Sequence, residues 1–224
     1  MNDLGNIDFD PQLLIDSGQI FRVPTPDMVD PADDWSAIRC ELSQFPELRD
    51  AIKAAPTLVI LRQPFVECVV SFIVSANNNI KRFTKTLAQM HFDVDWLCAR
   101  TEEDFRRMGC GYRAAYLVKA ANQIRGTKYE VLNALDDGAL YKELRKIAGV
   151  GDKVARCVML YCFHRLNIVP VDTWIEKVYR TVIAGETKHS RTKMADELQK
   201  MWGRYAGVAQ QYLFYYMQYL RKEL

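Results

Sequence analysis

Two glycines around one valine, Gly149-Val150-Gly151, constrain the fold of this 224-residue chain more than any other feature. They lie within Leu144 to Arg180, LRKIAGVGDKVARCVMLYCFHRLNIVPVDTWIEKVYR, between a first apolar-periodic run and a second that opens at Asp152. Beyond the turn, Val154, Val158 and Cys162 with Ala155 and Met159 form an apolar stripe at helical spacing. Glycines at such a turn permit positive φ and let the backbone approach a neighbour closely. Read alone, the segment is either an ordinary connection between two helices or a phosphate cradle. In the second case the free amides opening the later helix, backed by its dipole, bind an anion without a basic side chain.

The rest of the chain also reads as helices. Periodicity and start signals place them near 34–43, 46–54, 64–77, 80–91, 101–108, 112–125, 139–147, 152–165, 172–184, 191–203 and 205–222. Thr101 with Asp104 resembles a capping box, Pro64 suits a first helical turn, and Leu213, Met217 and Leu220 make a stripe near the end. Residues 1–34, rich in Asp and Pro, predict an extended arm with a short strand around Gln19–Val23. The expected class is all-α with an irregular arm. Apolar residues at 49% and charged residues at 26% exclude a disordered or fibrous chain. The longest apolar run, Phe65–Ala76, is too short and interrupted to span a bilayer, and Met1–Asp10 is acidic with no hydrophobic stretch, which predicts no signal peptide. Six scattered cysteines fit reduced thiols of an intracellular protein. The net charge of +2 conceals −8 over residues 1–50 and +10 over residues 51–224, so a polyanion would dock on the body rather than the arm.

Lys153 lies in the first turn after the glycines, where the helix dipole disfavours a cation. A partly dehydrated amine there would be neutral and nucleophilic. Nineteen residues on, Pro170-Val171-Asp172 opens another helix, with Asp172 placed as its N-cap. A carboxylate fixed at a helix start also suits stabilising a developing cation or moving protons.

With these residues in place, the segment resembles the helix–hairpin–helix, Gly-Pro/Asp superfamily of DNA base-excision glycosylases. Further motifs narrow the resemblance to the 8-oxoguanine DNA glycosylase/AP lyase family. They are Ser17-Gly18-Gln19-Ile20-Phe21-Arg22, Ser75-Ala76-Asn77-Asn78-Asn79-Ile80-Lys81-Arg82, Gly111-Tyr112-Arg113-Ala114 and Trp202-Gly203-Arg204-Tyr205-Ala206-Gly207-Val208-Ala209-Gln210. They fall in the family's order and cover most of the chain. The resemblance implies a shortened N-terminal region over 1–60 and a helical glycosylase domain over 61–224, its hairpin at about 139–165. It further implies a bifunctional enzyme that removes 8-oxoguanine opposite cytosine from duplex DNA and nicks the strand. Such an enzyme works as a monomer away from membranes, in the cytoplasm (nucleoid) of a bacterium or the nucleus of a eukaryote.

The resemblance also assigns roles. Lys153 is the nucleophile and Schiff-base former, and Asp172 stabilises the cationic sugar. Phe214 and Cys157 sandwich the flipped base, Gln210 reads its pairing edge, and the Gly18 carbonyl accepts the ring N–H peculiar to the oxidised base. Tyr112 is the wedge beside the estranged cytosine, whose edge is bound by Asn77, Arg82 and Arg113; Gly149, Val150 and Gly151 hold the backbone. Each has a plainer reading: core packing for Phe214 and Cys157, helix capping for an asparagine, solvent contact for the arginines. No metal or organic cofactor is implied. Related glycosylases build an iron–sulfur cluster from four C-terminal cysteines, whereas here the last is Cys162, and His91, His164 and His189 form no ligand spacing.

Two departures stand out. Only 38 residues separate Arg22 from Leu61, where longer members place a multi-stranded β domain. Losing it predicts a weaker hold on Gly18 and relaxed discrimination of the lesion and its opposite base. Trp174 also replaces a histidine that lies near phosphates in eukaryotic members. Two alternatives remain: a non-catalytic helix–hairpin–helix DNA-binding module, and a glycosylase/lyase for another oxidised purine or for abasic sites.

Overall fold

The computed structural model describes residues 9–185 and 187–223, apart from the side chains at 80, 81 and 219–223. The acidic residues 1–8 and the side chains of Ile80, Lys81 and Leu220, which figure in the sequence motifs, lie outside that description. Helices follow in the order α1 (Pro11–Asp16), α2 (Trp35–Leu42), α3 (Arg49–Ala54), α4 (Phe65–Ser75), α5 (Ile80–Leu87), α6 (Val94–Cys98) and α7 (Glu102–Arg107). Then come α8 (Ala114–Arg125), α9 (Tyr129–Asn133), α10 (Asp137–Leu144), α11 (Asp152–Tyr161), α12 (Thr173–Val178), α13 (Arg191–Trp202) and α14 (Ala206–Glu223). No strand forms among the described residues, and a lone antiparallel bridge joins Val29 to Leu61. The all-α class holds.

The chain makes two compact units: a first that runs up to Arg62 and resumes at His164, and a second comprising Gln63–Phe163. This cuts the chain differently from a linear division after residue 60. The reason is that α14 packs on α3, α12 and α13, which returns the segment from His164 onward to the first sixty residues.

In the second unit, α4 and α11 pack together as the core. Glu67 through Val74 and Val154 through Tyr161 are buried, so both helices are covered nearly all round. Phe72 of α4 stacks on Tyr161 of α11 at 5.4 Å between ring centres. Truncating such a ring to alanine costs about 3–5 kcal/mol. Start signals act where expected: Thr101 and Asp104 form the reciprocal capping box of α7, whereas Pro64 sits one position earlier than expected, as the N-cap of α4.

In the first unit, the strand expected around Gln19–Val23 does not form, because a side chain makes its bonds. The Gln19 Nε2 donates to the Val59 carbonyl at 2.9 Å and its Oε1 accepts from the Leu61 amide at 3.0 Å. The buried run Leu58–Leu61 thus has backbone partners without a sheet, as buried peptide groups require. The Tyr212 hydroxyl donates to Leu58 at 3.3 Å and the Arg62 amide to Met28 at 2.7 Å. Both places where the chain leaves and re-enters this unit are held by one acidic turn, Arg62 by Asp30 at 2.5 Å and His164 by Asp33 at 2.6 Å. His164 has φ +56, a conformation strained for a residue with a Cβ, and its contact with Asp33 helps hold it.

Candidate active site

The second unit carries the hairpin. Gly149 adopts φ +82, and a Cβ there would lie 3.0 Å from the Tyr116 Cβ and 3.2 Å from the Ile73 Cγ2. Glycine is therefore required by packing. Gln123 braces the turn, donating to the Lys146 carbonyl and accepting from the Ala148 amide, at 2.9 and 2.8 Å. Val150 is buried. Gly151 differs: its φ is −83, it is exposed, and a Cβ would meet nothing within 4 Å. It is also the N-cap of α11 and offers no side chain to the helix's first amides, in contrast to the side-chain caps Asp10, Asp34, Asn79, Asp93, Thr101, Asp136 and Asp172. An uncapped helix start with empty space before it is an anion site built from backbone.

Lys153, half-buried in the first turn of α11, places its Nζ 5.0 Å from the centre of the Phe72 ring. Within its own unit it has no carboxylate partner. Cys157, one turn on, is 2% exposed. Burial first, then the neighbouring Cys162, Cys157 and Glu67, push the Cys68 thiol well above its ordinary range, against the pull of Lys153. Cys68 thus stays protonated and cannot serve as a base.

The same unit carries the asparagine and tyrosine motifs. Tyr112 is 55% exposed, set edge-on against Tyr116 at 6.3 Å and lying under the Arg113 guanidinium at 4.4 Å. Asn77 (φ +50) and Arg82 are exposed. Asn79 caps α5 through the Arg82 amide at 2.9 Å, and Asn78 donates to the Val74 carbonyl at 3.2 Å, so two of the three asparagines do have the plainer capping role. Arg113 is buried, and its guanidinium donates to the Ala76 and Asn77 carbonyls, which braces the turn that presents Asn77.

The first unit brings together Gly18, Phe214 and Gln210. Gly18 has φ +70, and a Cβ on it would stand 3.1 Å from the Phe214 ring, so a side chain is excluded both by conformation and by space. Its neighbours are tied on both sides: Gln19 to Val59 and Leu61, and the Ser17 carbonyl to the Gln211 amide. The shortened arm therefore does not leave Gly18 loosely held. Gln210, one turn before Phe214 on α14, is 3% exposed, and its Oε1 is buried without a hydrogen-bond partner among the described residues. An unsatisfied buried carbonyl costs about 1–3 kcal/mol unless something else donates to it. Asp172 caps α12 as expected, one oxygen accepting from the Trp174 and Ile175 amides at 2.9 Å each. Those bonds use Oδ1 only and leave Oδ2 without a partner among the described residues.

Several contributors have no local sequence signal. Phe72, Gln123, Tyr116 and Gln19 reach their partners from tens of residues away. The same holds for Asp30, Asp33 and His164, whose ligand-type atoms lie within 4.8 Å of one another. Arg62 and the Asp33–His164 pairing already satisfy that group internally.

No protein-family model matches the chain. It is 29% identical over 212 residues to the N-glycosylase/DNA lyase OGG1 of Arabidopsis thaliana, covering 82% of this chain and 57% of that protein. It is 32% identical over 208 residues to the N-glycosylase/DNA lyase of Saccharomyces cerevisiae, covering 69% and 55%. The chain thus spans little more than half the length of these curated relatives. Coverage is fuller against a solved structure, the Clostridium acetobutylicum 8-oxoguanine glycosylase/lyase bound to duplex DNA with cytosine opposite 8-oxoguanine. There the TM-score is 0.87 at 27% identity, over 95% of this chain and 93% of the other. An endonuclease III–DNA covalent intermediate shares the fold at a TM-score of 0.62 and 20% identity. No helix among the described residues is long and apolar enough to cross a membrane. The sequence relatives, the near-complete structural match and the ordered motifs agree: the chain is similar to the N-glycosylase/DNA lyases and to the 8-oxoguanine glycosylase/lyase of solved structure.

Proposed function

We propose that the protein excises 8-oxoguanine opposite cytosine from duplex DNA and then cleaves the strand as an AP lyase. The observation that carries this reading is Lys153, an amine without an anionic partner in its unit, in the first turn of a helix whose amides are uncapped beyond Gly151. The backbone amides hold a phosphate of the damaged strand while the lysine faces its sugar. As the base–sugar bond breaks, the bond from C1′ to the lysine Nζ forms; the departing base takes up a proton and the sugar ring opens to a cationic imine. Loss of a C2′ proton then expels the 3′ phosphate oxygen, and water releases the lysine. The free oxygen of Asp172 stabilises the cationic sugar. A monofunctional glycosylase would use water in place of the amine.

For the base, Gln210 and Phe214 supply an edge reader and a stacking face one turn apart, with Gly18 against the ring. A base donating to Gln210 would satisfy the orphaned oxygen. Extrusion leaves a gap in the duplex, which Tyr112 fills beside the cytosine, with Asn77 and Arg82 at its edge. The compartment is then the one that holds the DNA.

Borohydride reduction of the protein with a duplex bearing 8-oxoguanine opposite cytosine is the test. A covalent protein–DNA adduct is expected, and none with Lys153→Gln. No adduct from the unaltered protein would refute the enzyme and leave a DNA-binding module. Adduct formation with other oxidised purines or abasic sites alone would refute the substrate. Trapping opposite all four bases reads how strictly cytosine is required.

A further inference from the structure

The first unit has a groove of about 630 Å³ that the proposed chemistry does not use. One wall is a single face of α12 and the turn after it, Thr173, Lys177, Arg180 and Thr181; Lys188 stands on the other. Among the described residues Glu176 is the one carboxylate lining it, and it is already engaged. Arg180 and Arg191 reach it at 2.9 and 2.8 Å, and their hydrogen bonds hold its carboxyl below the usual range. Lys177 and Lys188 are exposed and have no carboxylate partner among the described residues. The groove is therefore cationic, lined by hydroxyls, and open.

We propose that this groove binds backbone phosphates of the DNA strand flanking the lesion. The proposal rests on the glycosylase reading for the identity of the polyanion. The groove starts at Thr173, directly after Asp172, so a strand whose sugar lies at Asp172 continues along it. From Thr173 to Val178 α12 rises about 7.5 Å and the lining runs on to Thr181, whereas one DNA strand advances only about 3.4 Å per phosphate. A run of phosphates suits that length better than a single small anion does. The contacts would be independent of sequence and would strengthen binding as salt falls.

The experiment uses the full chain with Lys177→Ala and Lys188→Ala combined, and measures duplex affinity between 50 and 200 mM salt. Each phosphate contact contributes about 0.9 to the slope of log affinity against log salt. The slope should therefore fall by about 1.8, and the affinity ratio of parent to variant should shrink about twelvefold across that range. Lys200→Ala, an exposed lysine of α13 outside the groove, should leave the slope unchanged. An unchanged slope in the double variant, or an equal fall with Lys200→Ala, overturns the proposal. Inorganic phosphate at constant ionic strength is the second arm. If it raises the melting temperature of the parent but not of the double variant while the slopes stay equal, the groove takes a free anion instead. Failure of the parent to form an adduct with borohydride would sink the glycosylase reading, and the salt slope would still report on the groove.

Discussion

Gly149 and Gly151 are two residues apart, yet alanine at each should have opposite consequences. At 149 the backbone sits at φ +82, which costs a residue with a Cβ about 1–2 kcal/mol. The new methyl would also approach Tyr116 to 3.0 Å and Ile73 to 3.2 Å, from α8 and α4, and overpacking of that kind costs about 1–3 kcal/mol. Gly149→Ala should thus destabilise by about 2–5 kcal/mol and lower the melting temperature by about 4–20 °C for a chain of this size. At 151 φ is −83 and the space is open, so alanine restricts the unfolded chain and stabilises by about 0.4–1 kcal/mol. That open space is where a phosphate must approach the uncapped amides. Losing a charge-assisted bond there, about 1.5–3 kcal/mol, should weaken duplex binding about 10- to 150-fold. Thermal melts and a duplex titration on both variants test the pair. If Gly151→Ala binds DNA as well as the parent, or Gly149→Ala melts no earlier, the division of labour between the two glycines is wrong.

Gln210→Leu removes the orphaned carbonyl and should leave stability unchanged or raised in a melt, while single-turnover excision of 8-oxoguanine falls sharply; retained excision would show that Gln210 does not read the base. Phe72→Leu takes away the ring beneath Lys153 that positions the amine and should slow borohydride trapping at saturating duplex; an unchanged rate would show that the ring does not position it. At Asp30, burial raises the carboxyl, but the Ala32 amide, Arg62 and His164 outweigh it and hold it below its ordinary value. The stability this contributes is present above the ordinary carboxylate range and is lost as pH falls through the lowered value. Asp30→Asn should therefore lower stability near neutrality and flatten the acid limb of a melting-temperature profile, and an unchanged limb would refute the assignment.

Helices long enough to show a period were legible from sequence, and α4, α11 and α14 are where the apolar stripes place them. By contrast α1, α6 and α9 have five or six residues, too few for a period, and α1 and α6 begin at the aspartate caps Asp10 and Asp93. Gln19–Val23 resembles a strand because Ile20, Phe21 and Val23 are apolar and follow a glycine, but no local pattern announces that a glutamine amide will make the bonds. The glycine hairpin, Lys153 and Asp172 were visible because their chemistry depends on helix starts, which sequence marks well. Phe72 under Lys153 was not, since those residues are brought together only when α4 packs on α11. Arg113 has the composition of a surface contact, and only the fold reveals that it points inward to two carbonyls.

The anchoring of Gln19 bears on the precision of its neighbour. A backbone ladder can slide by two residues and still present the same faces. An amide whose nitrogen is committed to residue 59 and whose oxygen is committed to residue 61 has no equivalent position to slide to. Gly18 is covalently attached to that fixed point, so trimming the surrounding scaffold removes mass from around the glycine without granting it any freedom of translation.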